Sequence, residues 1–416
     1  MKDRLFFKIK KMSNGIDIHY QKVDVPFVYL SIIIPVGSTH SISTNEGGIN
    51  GVAHFLEHMI FERSKNFPEK GVLEKFVDLN GGYINADVGL EETIFYLSIS
   101  NKLFDKAMSR FCEHLFNPVF KEEDIKIQRE IIRNERKQKE RYYPENNEID
   151  NYLNTKWMKT ERVPIRQLFG SDSDLNKIDI KILERFNCNY RSKKIKVLVS
   201  GKFNLKNIEK IFSKYFFQNI KLKKNIEHID WKEKKYKNKK FKDIKHPIYV
   251  IGGIFNNISL KDEWGIRFLG ILLTNYSHGP LYTWLRKEKG ISYSMRFSDD
   301  SYGKEIFWKM YIPTNKMADV EEIRLNIHKK IKEILNDAKL IKNEVKRRLY
   351  RRVFFYQDIA DRMDMAENYL IRDGVIYTEK YFDNLTKIFE NSKELEKIYD
   401  KYFSKKVVRE FLCLSK

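Results

Sequence analysis

The chain lays out one order of elements twice, and that repetition constrains its fold more than any single motif. The first pass opens with the apolar run FVYLSIIIPVG from Phe27 to Gly37, rich in β-branched residues and read as a buried strand. The loop GSTHSISTNEGGING follows, then a helix from about Val52 to Phe61 and a second helix, PEKGVLEKFVDLN, closed by Gly81 and Gly82. YINADV and TIFYLSIS, separated by the polar GLEE, predict an antiparallel strand pair. An amphipathic helix from Leu103 to Leu115 stops before Pro118, and KEEDIKIQREIIRNERKQKE begins another. The second pass runs through the strand HPIYVIGGIF, a helix, and FLGILLTNYS, which leads through His278, Gly279 and Pro280 to LYTWLRKEKG. Strands SYSMRFS and IFWKMYIP come next, and long helices return from Asp319. Between the passes, residues 217–244 are dense in lysine and lack apolar periodicity, so they predict a solvated basic linker between domains at 1–216 and 245–416.

Composition narrows the function classes. The formal net charge is +21, which alone favours an acidic partner. No recognition motif accompanies it, and the excess is spread through a chain that uses Lys, Ile and Asn heavily throughout, so a nucleic-acid role is not expected. Cys112, Cys188 and Cys413 lie far apart without a C-x-x-C pair, which predicts neither a disulfide framework nor a thiolate metal site and suits a reducing compartment. The stretch MKDRLFFKIKKMSNG develops no apolar core of a signal peptide, and no run is long enough to span a membrane. The expected location is cytoplasmic.

The chemistry concentrates in GVAHFLEHMIFE, Gly51 to Glu62, which holds two of only nine histidines. On a helix, His54 and His58 share a face, so their imidazoles can converge on one cation. Zinc accepts such nitrogens and, in catalytic sites, keeps about three protein ligands and an open corner. Glu57 stands beside the pair as a carboxylate that can take a proton from water and return it to a leaving amine. A third ligand is required from elsewhere, and KEEDIKIQREIIRNERKQKE offers Glu130, Glu135 and Glu140.

GVAHFLEHMIFE resembles the H-x-x-E-H signature of the inverzincin peptidases of the pitrilysin, insulinase and mitochondrial processing peptidase group. In that family the third zinc ligand falls where Glu135 stands, near the end of a helix like QREIIRNE. Members of the family usually have a further glutamate seven residues earlier; Gln128 occupies the place here. LNGGYINADVGLEETIFY is similar to the family segment in which an Asn-Ala pair, here Asn85 and Ala86, lies on a sheet edge that substrate joins as an extra strand. LRKEKGISY places Arg286 and Tyr293 as in the pair with which active members hold substrate, Arg286 fixing the peptide backbone and Tyr293 donating to the carbonyl oxygen. His40, His114, His228, His246, His278 and His328 match no ligand spacing with the site helix.

The resemblance implies an α/β (α+β) fold of two homologous domains, each a mostly antiparallel sheet covered by helices, paired with a second chain to close a chamber. It implies a zinc metalloendopeptidase with one zinc per chain, acting on short or unfolded peptides or a peptide precursor, as a homodimer or as a heterodimer with a related subunit. If the basic surface lines the chamber, acidic substrates are favoured. The competing expectation is a non-catalytic or half-site subunit of a heterodimeric peptidase.

Overall fold

In a computed structural model of the chain, the described residues are 3–40, 42–44, 47–142, 149, 153, 168–192, 194–219, 236–241, 244–274, 279–302 and 304–415. Two open sheets organise them. The first is ordered β1-β2-β8-β3-β7-β6, from β1 (Lys8–Lys11), β2 (Asp17–Lys22), β3 (Phe27–Ile34), β6 (Tyr83–Val88), β7 (Thr93–Ser100) and β8 (Lys196–Gly201). The second is ordered β11-β12-β10-β13-β9, from β9 (Tyr236–Phe241), β10 (Ile248–Phe255), β11 (Arg296–Tyr302), β12 (Glu305–Pro313) and β13 (Arg409–Ser415). A short hairpin, β4 (Ile42–Thr44) with β5 (Gly47–Ile49), lies in the glycine-rich loop.

Leaving β1 aside, the two orders superpose strand for strand. In each, a central strand pairs antiparallel on both sides, β3 with β7 and β8, β10 with β12 and β13. In each, the chain's last strand of the half takes one parallel partner, β8 with β2 and β13 with β9. The duplication expected from element order is thus present in the topology.

Period-two alternation decides which side chains face which layer. On β3, Val28, Leu30, Ile32 and Ile34 enter the core beneath α1 (Val52–Glu62), α2 (Val72–Leu79) and α3 (Phe104–Phe116). Tyr29 and Ile33 point the other way, onto Ile359, Met363, Ala366 and Leu370 of the helix Ile359–Asp373. That helix belongs to the second half of the chain. The exchange is reciprocal: Ile149 and Leu153 of the first half pack with Val250, Ile254 and Phe411 on the outer face of the second sheet. Both faces of each central strand are therefore dry, which explains why FVYLSIII and IYVIGGIF read as continuous apolar runs.

Two local expectations change. Of the stretch 217–244 expected as a linker, residues 220–235 lie outside the described residues, but Tyr236–Phe241 is the edge strand β9, parallel to β13. Its lysines are compatible with a strand because an edge needs charge to discourage further pairing. The strand expected at SYSMRFS begins at Arg296 and continues to Tyr302.

Candidate metal centre

Every residue of α1 except His58 is buried. A helix so enclosed that nevertheless carries His54 and Glu57 bears a desolvation cost unless those groups are satisfied by something in the site. The helix starts at Gly51, whose φ of 81° suits glycine, and a Cβ there would meet the backbone of Phe169 and Gly170 at 2.9 Å. This close approach also brings Phe169 edge-on to the His54 ring, with centroids 4.8 Å apart.

α4 (Glu122–Tyr142) crosses beside α1, with Glu122, Glu123 and Asp124 complementing its positive end. Its position is fixed from the next segment: Arg129 donates to the carbonyls of Leu175 and Ile178 at 3.0 and 2.9 Å, and Arg136 to that of Gly170 at 2.7 Å. So held, α4 places Glu135 Oε2 3.7 Å from His54 Nε2 and 3.6 Å from His58 Nε2. Ligand atoms around a tetrahedral ion with bonds of about 2.0 to 2.1 Å stand roughly 3.4 Å apart. The Glu135 oxygen thus stands within a few tenths of an ångström of that separation from both imidazole nitrogens, as a shared ion would require. Glu130 turns outward, 63% exposed, onto Arg133; the side chain of Glu140 lies outside the described residues.

Glu57 belongs to the same group, since donor atoms of His54, Glu57 and His58 all lie within 4.8 Å of one another. Its Oε2 is 3.8 Å from His58 Nε2. Burial pushes its carboxyl up to about 7; His58 opposes this and Glu135 adds to it. A carboxyl poised there can exchange protons near neutrality. For His58, burial works against the charged ring, but the hydrogen bond to Glu135 and the charge of Glu57 raise it overall.

Behind the ring, His58 Nδ1 donates to Gln128 Oε1 at 2.9 Å, and Gln128 Nε2 donates to Glu62 Oε1 at 2.5 Å. Glu62 was missed at the sequence level, although it continues the four-residue column of His54 and His58 and could have been found by that spacing. Phe169 carries no sequence signal.

These residues open onto a cavity of about 490 Å³. Its far wall is β6, from Ile84 to Val88, so Asn85 and Ala86 border the same space as the histidines. Asn85 Nδ2 donates to the Tyr83 hydroxyl at 2.9 Å. The acids Glu57, Glu62, Glu74, Asp87 and Glu135 line the cavity, and among the described residues no lysine or arginine does. Despite the +21 net charge, the described lining is acidic.

Arg286 and Tyr293 do not line it. Arg286, on the single-turn π-helix Thr283–Glu288, lies 4.2 Å over the Tyr293 ring and donates to the Tyr282 hydroxyl. Tyr293 is 78% exposed. The two are brought together with each other and not with the histidines. Among the described residues no other histidine lines the cavity; His228 and His278 lie outside the described residues.

The chain is similar to known proteins in sequence and in fold. Residues 19–166 match the family model of insulinase, peptidase family M16, and residues 181–349 match that of the peptidase M16 inactive domain. An insulin-degrading enzyme homolog of Dictyostelium discoideum is 28% identical over 219 residues, 50% of this chain and 21% of that protein. An uncharacterized zinc protease of Rickettsia felis is 34% identical over 127 residues, 30% of each chain. The zinc protease PqqE of Helicobacter pylori is 27% identical over 210 residues, 49% of this chain and 45% of that one. The matches thus span less than half the length of these relatives. In fold, a protease from Helicobacter pylori superposes with a TM-score of 0.73 at 18% identity, covering 98% of this chain and 99% of that one. A peptidase M16 inactive domain from Pseudomonas fluorescens does so with a TM-score of 0.77 at 12% identity, covering 99% and 98%.

Proposed function

Because this chain belongs to the M16 insulinase family of peptidases, we propose that it is a zinc-dependent endopeptidase for short or unfolded peptides, with His54, His58 and Glu135 as metal ligands and Glu57 as general base. The observation that carries this reading is the single Glu135 oxygen standing 3.7 and 3.6 Å from both imidazole nitrogens, with Glu57 alongside. A zinc ion held there supplies a Lewis acid that makes water more acidic and polarises a peptide carbonyl. Glu57 takes the proton of the attacking water and hands it to the departing amine nitrogen.

Substrate enters as an added strand along β6. Of the four edges of the two large sheets, β1, β9 and β11 each carry lysine or arginine, whereas β6, YINADV, carries neither. An edge without basic guards, beside a cavity, suits an extended peptide paired through its backbone. Asn85 and Ala86 sit where that peptide passes the histidines. The acidic lining favours peptides with a lysine or arginine close to the scissile bond.

Arg286 and Tyr293 reach substrate from a second chain, closing a chamber as a homodimer or as a heterodimer with a related subunit. Their absence from this chain's own cavity supports that assignment. It equally supports a half-site reading, in which the chain works only beside an unlike partner.

The test is cleavage of a mixed peptide library by the purified protein, with chelator and zinc re-addition, read by mass spectrometry. Chelator-reversible cleavage enriched beside basic residues is the expected result. No cleavage with stoichiometric zinc bound would favour the half-site subunit, and no zinc uptake would overturn the reading.

A further inference from the structure

We infer that Glu62 is a positioning residue, which sets the tautomer of the metal-facing His58 by acting through Gln128. The inference rests on the metallopeptidase reading for its purpose, but its chain of donors and acceptors stands on the geometry alone.

An ionised carboxylate can only accept hydrogen bonds. Glu62, 7% exposed, therefore requires the amide nitrogen of Gln128 to face it, and the two are 2.5 Å apart. With its nitrogen committed, Gln128 presents its oxygen to His58 Nδ1 at 2.9 Å. That oxygen accepts, so a ring proton sits on Nδ1, and Nε2, 3.6 Å from Glu135, is left as the nitrogen that can bind a metal ion. Glu62 itself is anchored by Lys70 Nζ at 3.2 Å, which also reaches Asp124 at 3.5 Å. Without a fixed acceptor at Glu62, a glutamine amide has no reason to prefer this orientation, since its two ends are nearly the same shape.

The arrangement explains how the site tolerates Gln128 where the family has glutamate. A carboxylate at 128 would accept from His58 directly. Here the charge stands one residue further back, on the helix that carries the histidines, and the glutamine passes its effect on.

Two measurements test this. Ring-nitrogen chemical shifts of His58 in the metal-free wild type, at a pH where the ring is neutral, should show the proton on Nδ1; a proton on Nε2 would overturn the inference without any variant. Zinc affinity, by competition with a chelating dye, should fall about 10- to 100-fold in Glu62→Gln. There residue 62 can donate, Gln128 can turn over, and the ring proton can move to Nε2. The double variant Glu62→Gln/Gln128→Glu should return to near wild-type affinity with the proton on Nδ1, because the charge is only relocated. Unchanged affinity in Glu62→Gln, or a double variant no better than the single one, would overturn it. Wild type with the proton on Nδ1 but no zinc uptake would instead strike the metallopeptidase reading.

Discussion

The two halves share a strand order but treat the helix after the central strand in opposite ways. In the first half, α1 turns His54, Glu57 and His58 toward an open cavity bordered by β6. In the second, the helix Leu260–Thr274 follows β10 and carries Glu263 and Arg267. These close on themselves: Arg267 pairs with Glu263 at 2.7 Å and with Asp299 of β11 at 2.7 Å, and donates to Ser301 at 2.9 Å. Arg372 meets Glu263 at 2.8 Å from the other side. One scaffold thus holds buried polar groups twice, once neutralised internally and once arranged around a place for an ion. The match of residues 181–349 to an inactive-domain model agrees with this division.

The contrast is most sharply tested by removing the base. Glu57→Gln should lower kcat by about 10²- to 10⁴-fold while zinc content stays at the wild-type level; undiminished turnover would remove Glu57 from the chemistry. Glu135→Ala should weaken zinc binding by at least about 100-fold in the same dye competition. Retention of full affinity would break the claim that α4 completes the site.

In the second half the expected loss is of stability alone. Arg372→Ala leaves Glu263 buried with one partner fewer and should cost about 3 kcal/mol, seen as a lower midpoint in denaturant, with zinc stoichiometry unchanged. Zinc loss at full stability would reverse the comparison.

The smallest effect lies between the halves. Glu367, 2% exposed on the helix Ile359–Asp373, accepts from Ser31 of β3, and burial pushes its carboxyl up from 4.5 to about 8. A carboxyl raised on folding contributes stability that is full below its unfolded value and is lost as pH rises through the folded one. Wild type should therefore lose on the order of 2 kcal/mol between about pH 6 and about pH 9, and Glu367→Gln should lose less. Equal slopes in the two proteins would show that Glu367 is not the group responsible.

Local chemistry made much of this legible beforehand. YINADV and TIFYLSIS are strands over the very residues expected, because alternation and a polar turn are nearest-neighbour signals. Helical spacing likewise brought His54, Glu57 and His58 to one face. What covers each sheet was not legible: the apolar run of β3 announces burial on both faces but not that Ile359 and Met363, over three hundred residues later, provide one of them. Tyr236–Phe241 read as linker because the lysines that protect an edge strand also mark a solvated connector. Arg286 and Tyr293 were placed by resemblance, and a single chain's geometry stacks them on each other.

The trading of covering segments between the two sheets has a consequence for how the molecule can be divided. A gene cut in the lysine-rich stretch would yield two polypeptides, each with one bare greasy surface: the first lacking Ile359 to Leu370, the second lacking Ile149 and Leu153. Neither fragment would cover its own sheet completely, but produced together each would carry the other's missing lid, so the two structural repeats complete one another.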